Sequence, residues 1–171
     1  MVYWITGLAG AGKTTIGEKL FALLKREFPN SVFLDGDTLR EIIGNDLTYT
    51  QSHRLESSRR NARLCKLLSS QGIHVVCSTI CMYREVRNWN RLSIPDYVEI
   101  FLDVPMDLLH ARDQKGLYSG AKRDSQSDMP GIDVPYELPE NPDLTVMNDG
   151  RETPDAIAAR IYSQFKPSAT A

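Results

Sequence analysis

The most specific chemistry in the chain lies in eight consecutive residues, Gly7-Leu8-Ala9-Gly10-Ala11-Gly12-Lys13-Thr14, which fit G-x-x-x-x-G-K-[ST] at every fixed position. Glycines let successive backbone N–H groups converge on phosphate oxygens, and a helix opening behind them adds its positive dipole end. Gly7, Gly10, Ala11, Gly12 and Thr15 are therefore expected to cradle ATP. Lys13 is expected to reach the β- and γ-phosphates, and the Thr14 hydroxyl to ligate Mg²⁺. A chance match in a chain of this length has odds of about 1 in 200.

Such a loop does not by itself separate a kinase from a GTPase switch or an ATPase motor. A GTPase would carry an N-K-x-D base-reading motif, and the sequence has none. Asp128-Met129-Pro130-Gly131 matches D-x-x-G, but about one such match per chain arises by chance. A second run, Leu34-Asp35-Gly36-Asp37-Thr38-Leu39-Arg40, follows an apolar stretch that reads as a strand. In an open parallel sheet, ligands bind beyond the C-terminal strand ends, which points both carboxylates at the phosphates. Asp35 is placed to help hold Mg²⁺ through water. Asp37, one step further out, is placed to accept a proton from an acceptor hydroxyl, or to cap the helix that follows.

These residues need a scaffold, and the sequence supplies one. Short apolar runs alternate with helical periods, the pattern of βαβ units and a parallel sheet. Strands are predicted over residues 2–6, 31–35, 73–77, 97–102 and 144–147. A helix is predicted from Thr14 to Phe28, with Ile16, Leu20 and Leu23 or Leu24 on one stripe, and Pro154 is suited to open a last helix. Over Gln51 to Ser70, a 100° period puts Arg54, Ser57, Asn61, Leu64 and Leu68 on one stripe. Its C-terminal half is apolar and expected to face the core, while Arg54 would project inward, where a guanidinium needs an anion. Arg59, Arg63 and Lys66 fall on the solvated side. From Ser119 to Asn141 the composition shifts to Ser, Asp, Pro and Gly, too long a stretch for an idle connection, and reads as a functional loop or lid.

Composition bounds the rest. The chain has 171 residues, the size of a single domain spanning 1–171. Lys plus Arg number 20 against 22 Asp plus Glu, so no basic excess advertises nucleic acid. No apolar run approaches the roughly 18 residues of a membrane helix. Three cysteines, Cys65, Cys77 and Cys81, are odd in number and form no C-x-x-C, which fits free buried thiols in a reducing cytoplasm.

Further blocks join the phosphate loop and Leu34-Asp35-Gly36-Asp37 with Arg40. They are Tyr83-Arg84, Arg112-Asp113-Gln114-Lys115-Gly116-Leu117-Tyr118 and Gly131-Ile132-Asp133-Val134-Pro135-Tyr136-Glu137, in that order. Together they resemble the adenylyl-sulfate kinase family from Val2 to about Met147. The resemblance implies an α/β P-loop fold of nucleoside-monophosphate-kinase type, with a five-stranded parallel sheet in the order 2-3-1-4-5 and a lid over residues 113–141. It implies ATP-dependent phosphorylation of the ribose 3′-hydroxyl of adenylyl sulfate, Mg²⁺ as cofactor, and a homodimer. By the same resemblance Lys13 and Asp37 are catalytic, Asp37 as base, Arg112 is on the ATP side, and Arg40 and Arg54 bind the acceptor's phosphate. Ser78, Thr79 and Ile80 line the acceptor pocket, with Lys115, Gly116, Leu117 and Ile132 contributed by the lid side.

The departures from the family pattern all fall on the acceptor side. Ser57 stands where the family usually has Asn. Cys81 and Met82 replace a phosphorylatable Ser and its neighbouring Pro. The two aromatic positions that sandwich the acceptor base align with Tyr49 and Met129, and the basic lid segment is rewritten as Ser119 to Asp128. Kinases of other nucleotides, such as cytidine diphosphoramidate kinases, resemble this family too, so another nucleotide acceptor is the first alternative. A nucleotide-sensing protein without turnover is the second, and the retained Lys13, Thr14, Asp35 and Asp37 count against it.

Overall fold

The computed structural model of the chain describes residues 1–112 and 136–168. In chain order the elements are β1 (Val2–Thr6), α1 (Lys13–Glu27), β2 (Ser31–Asp35), α2 (Gly36–Ile43), α3 (Gln51–Ser70), β3 (His74–Ser78), α4 (Arg84–Ser93), β4 (Tyr97–Asp103), α5 (Met106–Arg112), β5 (Leu144–Met147) and α6 (Pro154–Phe165). The five strands form one parallel sheet in the order β2-β3-β1-β4-β5, as expected. Parallel pairing brings all five C-terminal ends to one edge, and the loops leaving that edge build the site.

The period of two along β1 divides the core. Tyr3 and Ile5 pack with Ile16, Leu20 and Leu24 of α1 and with Ile157 and Ile161 of α6. Val2 and Trp4 face the other way, onto Ala62 and Cys65 of α3 and Val86 of α4. Pro154 takes the first turn of α6 behind the Thr153 cap. All three cysteines are free and buried, and Cys77 is pushed well above the ordinary thiol range, first by its hydrogen bond with Cys65 and then by burial. Among the described residues no helix is long and apolar enough to cross a membrane.

Beyond shifts of one residue at the ends of α1 and β4, one strand register and one helix face differ from the sequence reading. β3 runs one residue later than expected, because the Ile73 N–H closes the end of α3 on the Leu68 carbonyl and Ser78 pairs with Ile5 and Asp35. The buried stripe of α3 is Ser58, Asn61, Ala62 and Cys65, with Leu64 only half-buried. Small side chains face the sheet there, and Leu55 and Leu68 pack at the margin of the same cluster.

α4 was not legible as an element, and its packing explains why. The buried face carries Arg87 and Asn90 beside Val86. The Arg87 guanidinium meets Glu99 of β4 at 3.2 Å, and both side chains are about 95% buried. Arg91 also reaches Glu99, at 3.3 Å. Burial raises the Glu99 pKa above the ordinary carboxyl value, against the pull of Arg87 and Arg91. Removing one partner of a buried pair strands the other charge. Glu99→Ala is therefore expected to cost about 3–5 kcal/mol of stability, read as a lower urea midpoint at pH 7; a midpoint unchanged from the parent would show that water reaches Arg87.

Candidate active site

The loop between β1 and α1 is shaped by its glycines. Gly12 caps α1 in the left-handed conformation, at φ 88°, and a Cβ there would meet Asn148 Nδ2 at 2.7 Å. Gly7 is held against β4, where a Cβ would meet the Leu102 carbonyl oxygen at 2.8 Å. Gly7 and Ala11 are buried and shape the loop from behind; the Ala11 N–H closes a turn on the Leu8 carbonyl. The Lys13 amine folds across the loop to the Leu8 carbonyl at 2.7 Å. Burial lowers its pKa to about 8, against the opposing pull of Asp37 and Asp35.

A cleft of about 180 Å³ opens over this loop at the C-terminal edge of the sheet. Gly10, Gly12, Lys13, Thr14 and Thr15 form one wall, and Asp35, Asp37 and Arg40 form a second. Tyr49, Arg54 and Ser57 line a third, with Ser78, Thr79 and Ile80 completing the lining. Residues separated by up to seventy positions thus meet in one place. The Ser78 hydroxyl donates to the Lys13 carbonyl at 3.0 Å, which braces the start of α1.

The two carboxylates of the Asp35-Gly36-Asp37 run divide their work. Asp35, and not Asp37, caps α2: its Oδ1 accepts from the N–H groups of Asp37 at 3.0 Å and Thr38 at 3.4 Å. Its Oδ2 accepts from the Thr14 hydroxyl at 2.7 Å. Two hard oxygen donors therefore stand together beside the phosphate loop. Asp37 is exposed in the first turn of α2, with its side chain not used as the cap. Arg54 of α3 lines the cleft and donates from Nε to the Tyr49 carbonyl at 2.8 Å.

Arg112 closes the far side of the loop. It donates from Nη1 to the Gly10 carbonyl at 3.3 Å and from Nη2 to the Asn148 carbonyl at 2.9 Å. Sequence reasoning missed Asn148, whose side chain donates to the Ala11 carbonyl at 2.9 Å and pins the loop to the end of β5. The available signal was an Asn just past the C-terminal end of a parallel strand, where sites form. It also missed Ser58, which lines the same cleft. Lys115, Gly116, Leu117, Met129 and Ile132 lie outside the described residues, as does most of the stretch read as a lid. Its described end is tied to α4, where the Arg84 N–H donates to the Glu137 carboxylate at 2.6 Å.

A five-stranded parallel sheet of this order, a phosphate-binding loop and a facing cleft with carboxylates and arginines define a P-loop kinase. Comparison with known proteins places it more closely. The adenylylsulphate kinase family model matches residues 1–147, and the chain belongs to that family. It is 40% identical to the cytidine diphosphoramidate kinase of Campylobacter jejuni, over 88% of this chain and 87% of that protein. It is 38% identical to the adenylyl-sulfate kinase of Halothermothrix orenii, over 95% and 88% respectively. The structure of the Mycobacterium tuberculosis APS kinase CysC in complex with AMPPNP and APS superposes with a TM-score of 0.87 at 31% identity, covering 97% of each chain. The protein is a kinase that transfers phosphate to a hydroxyl.

Proposed function

We propose that this chain transfers the γ-phosphoryl group of ATP to the ribose 3′-hydroxyl of a nucleotide whose phosphate bears a small substituent, with adenylyl sulfate as the first acceptor. The observation that carries this reading is the single cleft in which Lys13, Asp37, Arg40 and Arg54 meet. In the step, the acceptor oxygen bonds to the γ-phosphorus as the bond from that phosphorus to the β,γ-bridging oxygen breaks. The hydroxyl proton goes to Asp37, and ADP leaves. Lys13 stabilises the charge on the β/γ-phosphates, the loop N–H groups orient them, and Arg112 holds the outer side of the loop. Arg40 and Arg54 hold the acceptor's anionic group.

Thr14 and Asp35 suit Mg²⁺. Mg²⁺ binds hard oxygens and usually takes one or two protein ligands beside substrate phosphates and water. When bound, Mg²⁺ neutralises phosphate charge.

Cytidine diphosphoramidate is a second acceptor, favoured by a specific observation: 40% identity to a kinase of that name, with Ser57 the departure that lines the cleft, whereas Cys81 and Met82 are buried in the core. A panel of ATP with adenylyl sulfate and with cytidine diphosphoramidate, read as acceptor-dependent ADP release, separates the two. Release with neither removes both acceptors.

Lys13 also sets a pH dependence. Its pKa of about 8 in the free protein is raised when phosphates bind, so binding takes up a proton above pH 8. ATP affinity is therefore expected to be full below about pH 8 and to fall as pH rises past it, by up to about tenfold per pH unit. Calorimetric titration with a non-hydrolysable ATP analogue from pH 6.5 to 9.5 checks this, and a flat profile would contradict it.

A further inference from the structure

Tyr49 stands on the loop between α2 and α3, and the residue is 62% exposed. Two cations rest on its ring. The guanidinium carbon of Arg40 lies 4.6 Å from the ring centroid and that of Arg54 lies 5.1 Å from it. Two like charges brought to one ring repel each other, so the surroundings must hold them. The negative face of an aromatic ring does part of this. Backbone carbonyls do the rest: Arg40 Nη1 donates to Leu47 at 3.2 Å and Thr48 at 2.8 Å, and Arg54 Nε donates to Tyr49 at 2.8 Å. Three consecutive carbonyls of one loop thus fix two guanidinium groups.

The loop is itself pinned from both ends. Arg60 of α3 makes a two-pronged pair with the Asp46 carboxylate, at 2.6 and 2.8 Å, and donates to the Ile43 carbonyl at 2.8 Å. Nearer Tyr49, the Thr48 N–H and hydroxyl meet His53 Nδ1 at 3.0 and 2.8 Å. A segment held this way presents its carbonyls and its ring in fixed positions. Ordering long arginine side chains before a ligand arrives removes an entropic cost from binding.

We infer that Tyr49 is a positioning residue: its ring and the carbonyls of its loop hold Arg40 and Arg54 at one place in the cleft as a preformed clamp for the acceptor's anionic group. This rests on the acceptor-side reading given above, and it is work the ring does in addition to any contact with the acceptor's base. A ring that holds the two arginines affects every acceptor carrying the same anionic group equally, whatever its base. A ring that stacks on the base affects adenylyl and cytidylyl acceptors differently.

The test uses the whole chain with its phosphate loop saturated by a non-hydrolysable ATP analogue and Mg²⁺, titrated with inorganic pyrophosphate. Tyr49→Leu is expected to weaken pyrophosphate binding about tenfold, and Tyr49→Phe, which keeps the ring, less than about threefold. In an Arg54→Ala background the effect of Tyr49→Leu is expected to shrink to below about threefold, because the ring then holds one cation fewer. Affinity for the ATP analogue reports that each variant is folded. With nucleotide acceptors, Tyr49→Leu is expected to raise the KM of both adenylyl sulfate and cytidine diphosphoramidate. A parent that binds no pyrophosphate, or a Tyr49→Leu that changes only the ratio between the two acceptors, overturns the clamp. Pyrophosphate binding that depends on Tyr49, alongside transfer to neither nucleotide, sustains the clamp and removes the acceptor reading instead.

Discussion

Lys13→Ala is expected to lower kcat by about 10²–10³-fold, because it removes a preorganised charge from the phosphates between which the bond breaks. The loss should appear in kcat at saturating ATP, beyond any rise in KM, since charge on the β,γ-bridging oxygen grows as ADP departs. The charge of this amine is not expected to stabilise the fold at pH 7. The folded-state pKa of Lys13, about 8, lies below the ordinary lysine value, so the unfolded chain binds more protons between the two values. Stability due to this group therefore rises with pH through that window, and below pH 8 the charged amine is a net cost to the fold. The alanine variant should accordingly melt at the same temperature as the parent or higher at pH 7. Activity within about threefold of the parent would overturn the role of Lys13.

Much of this architecture was legible because its signals are local. The phosphate loop is a contiguous string, β1, β2 and β5 are short apolar runs, and Pro154 marks the start of α6. What escaped is what only packing decides. The seam of α3 runs through Ser58, Ala62 and Cys65, because a helix lying close to a sheet favours small residues, and hydrophobicity alone ranks Leu64 above them. α4 escaped because it is polar overall: Arg87 on its buried face is matched by Glu99 on another element, and a paired charge reads as surface in one dimension. At the site, Asp35 and Asp37 were both identified, yet their division was not: both are Asp, two positions apart, and only the backbone geometry assigns the cap to Asp35. Asn148 was missed because its partner, Ala11, lies 137 positions away. Arg40, Tyr49 and Arg54 were each singled out, but their stacking depends on the course of a loop with no regular period.

Asp37→Asn is expected to reduce kcat by about 10²–10⁴-fold while leaving ATP affinity at pH 7 nearly unchanged. The substitution keeps the size of the side chain and the backbone N–H that Asp35 accepts, so the first turn of α2 and the Thr14–Asp35 pair persist. What it removes is the ability to take a proton from the acceptor hydroxyl. It also removes one of two carboxylates that raise the pKa of Lys13. The Lys13 pKa should therefore drop further, and the weakening of ATP binding with rising pH should begin at lower pH than in the parent. The same substitution thus yields two separable readings: a loss in single-turnover rate at pH 7, and a displaced pH profile for binding an ATP analogue. A general base predicts the first, and a carboxylate near Lys13 predicts the second whether or not it is the base. An unchanged single-turnover rate together with the displaced profile would leave Asp37 as an electrostatic neighbour of Lys13 and move proton acceptance elsewhere. Loss of ATP binding at pH 7 would instead identify Asp37 as part of the phosphate or metal site, where Asp35 now stands.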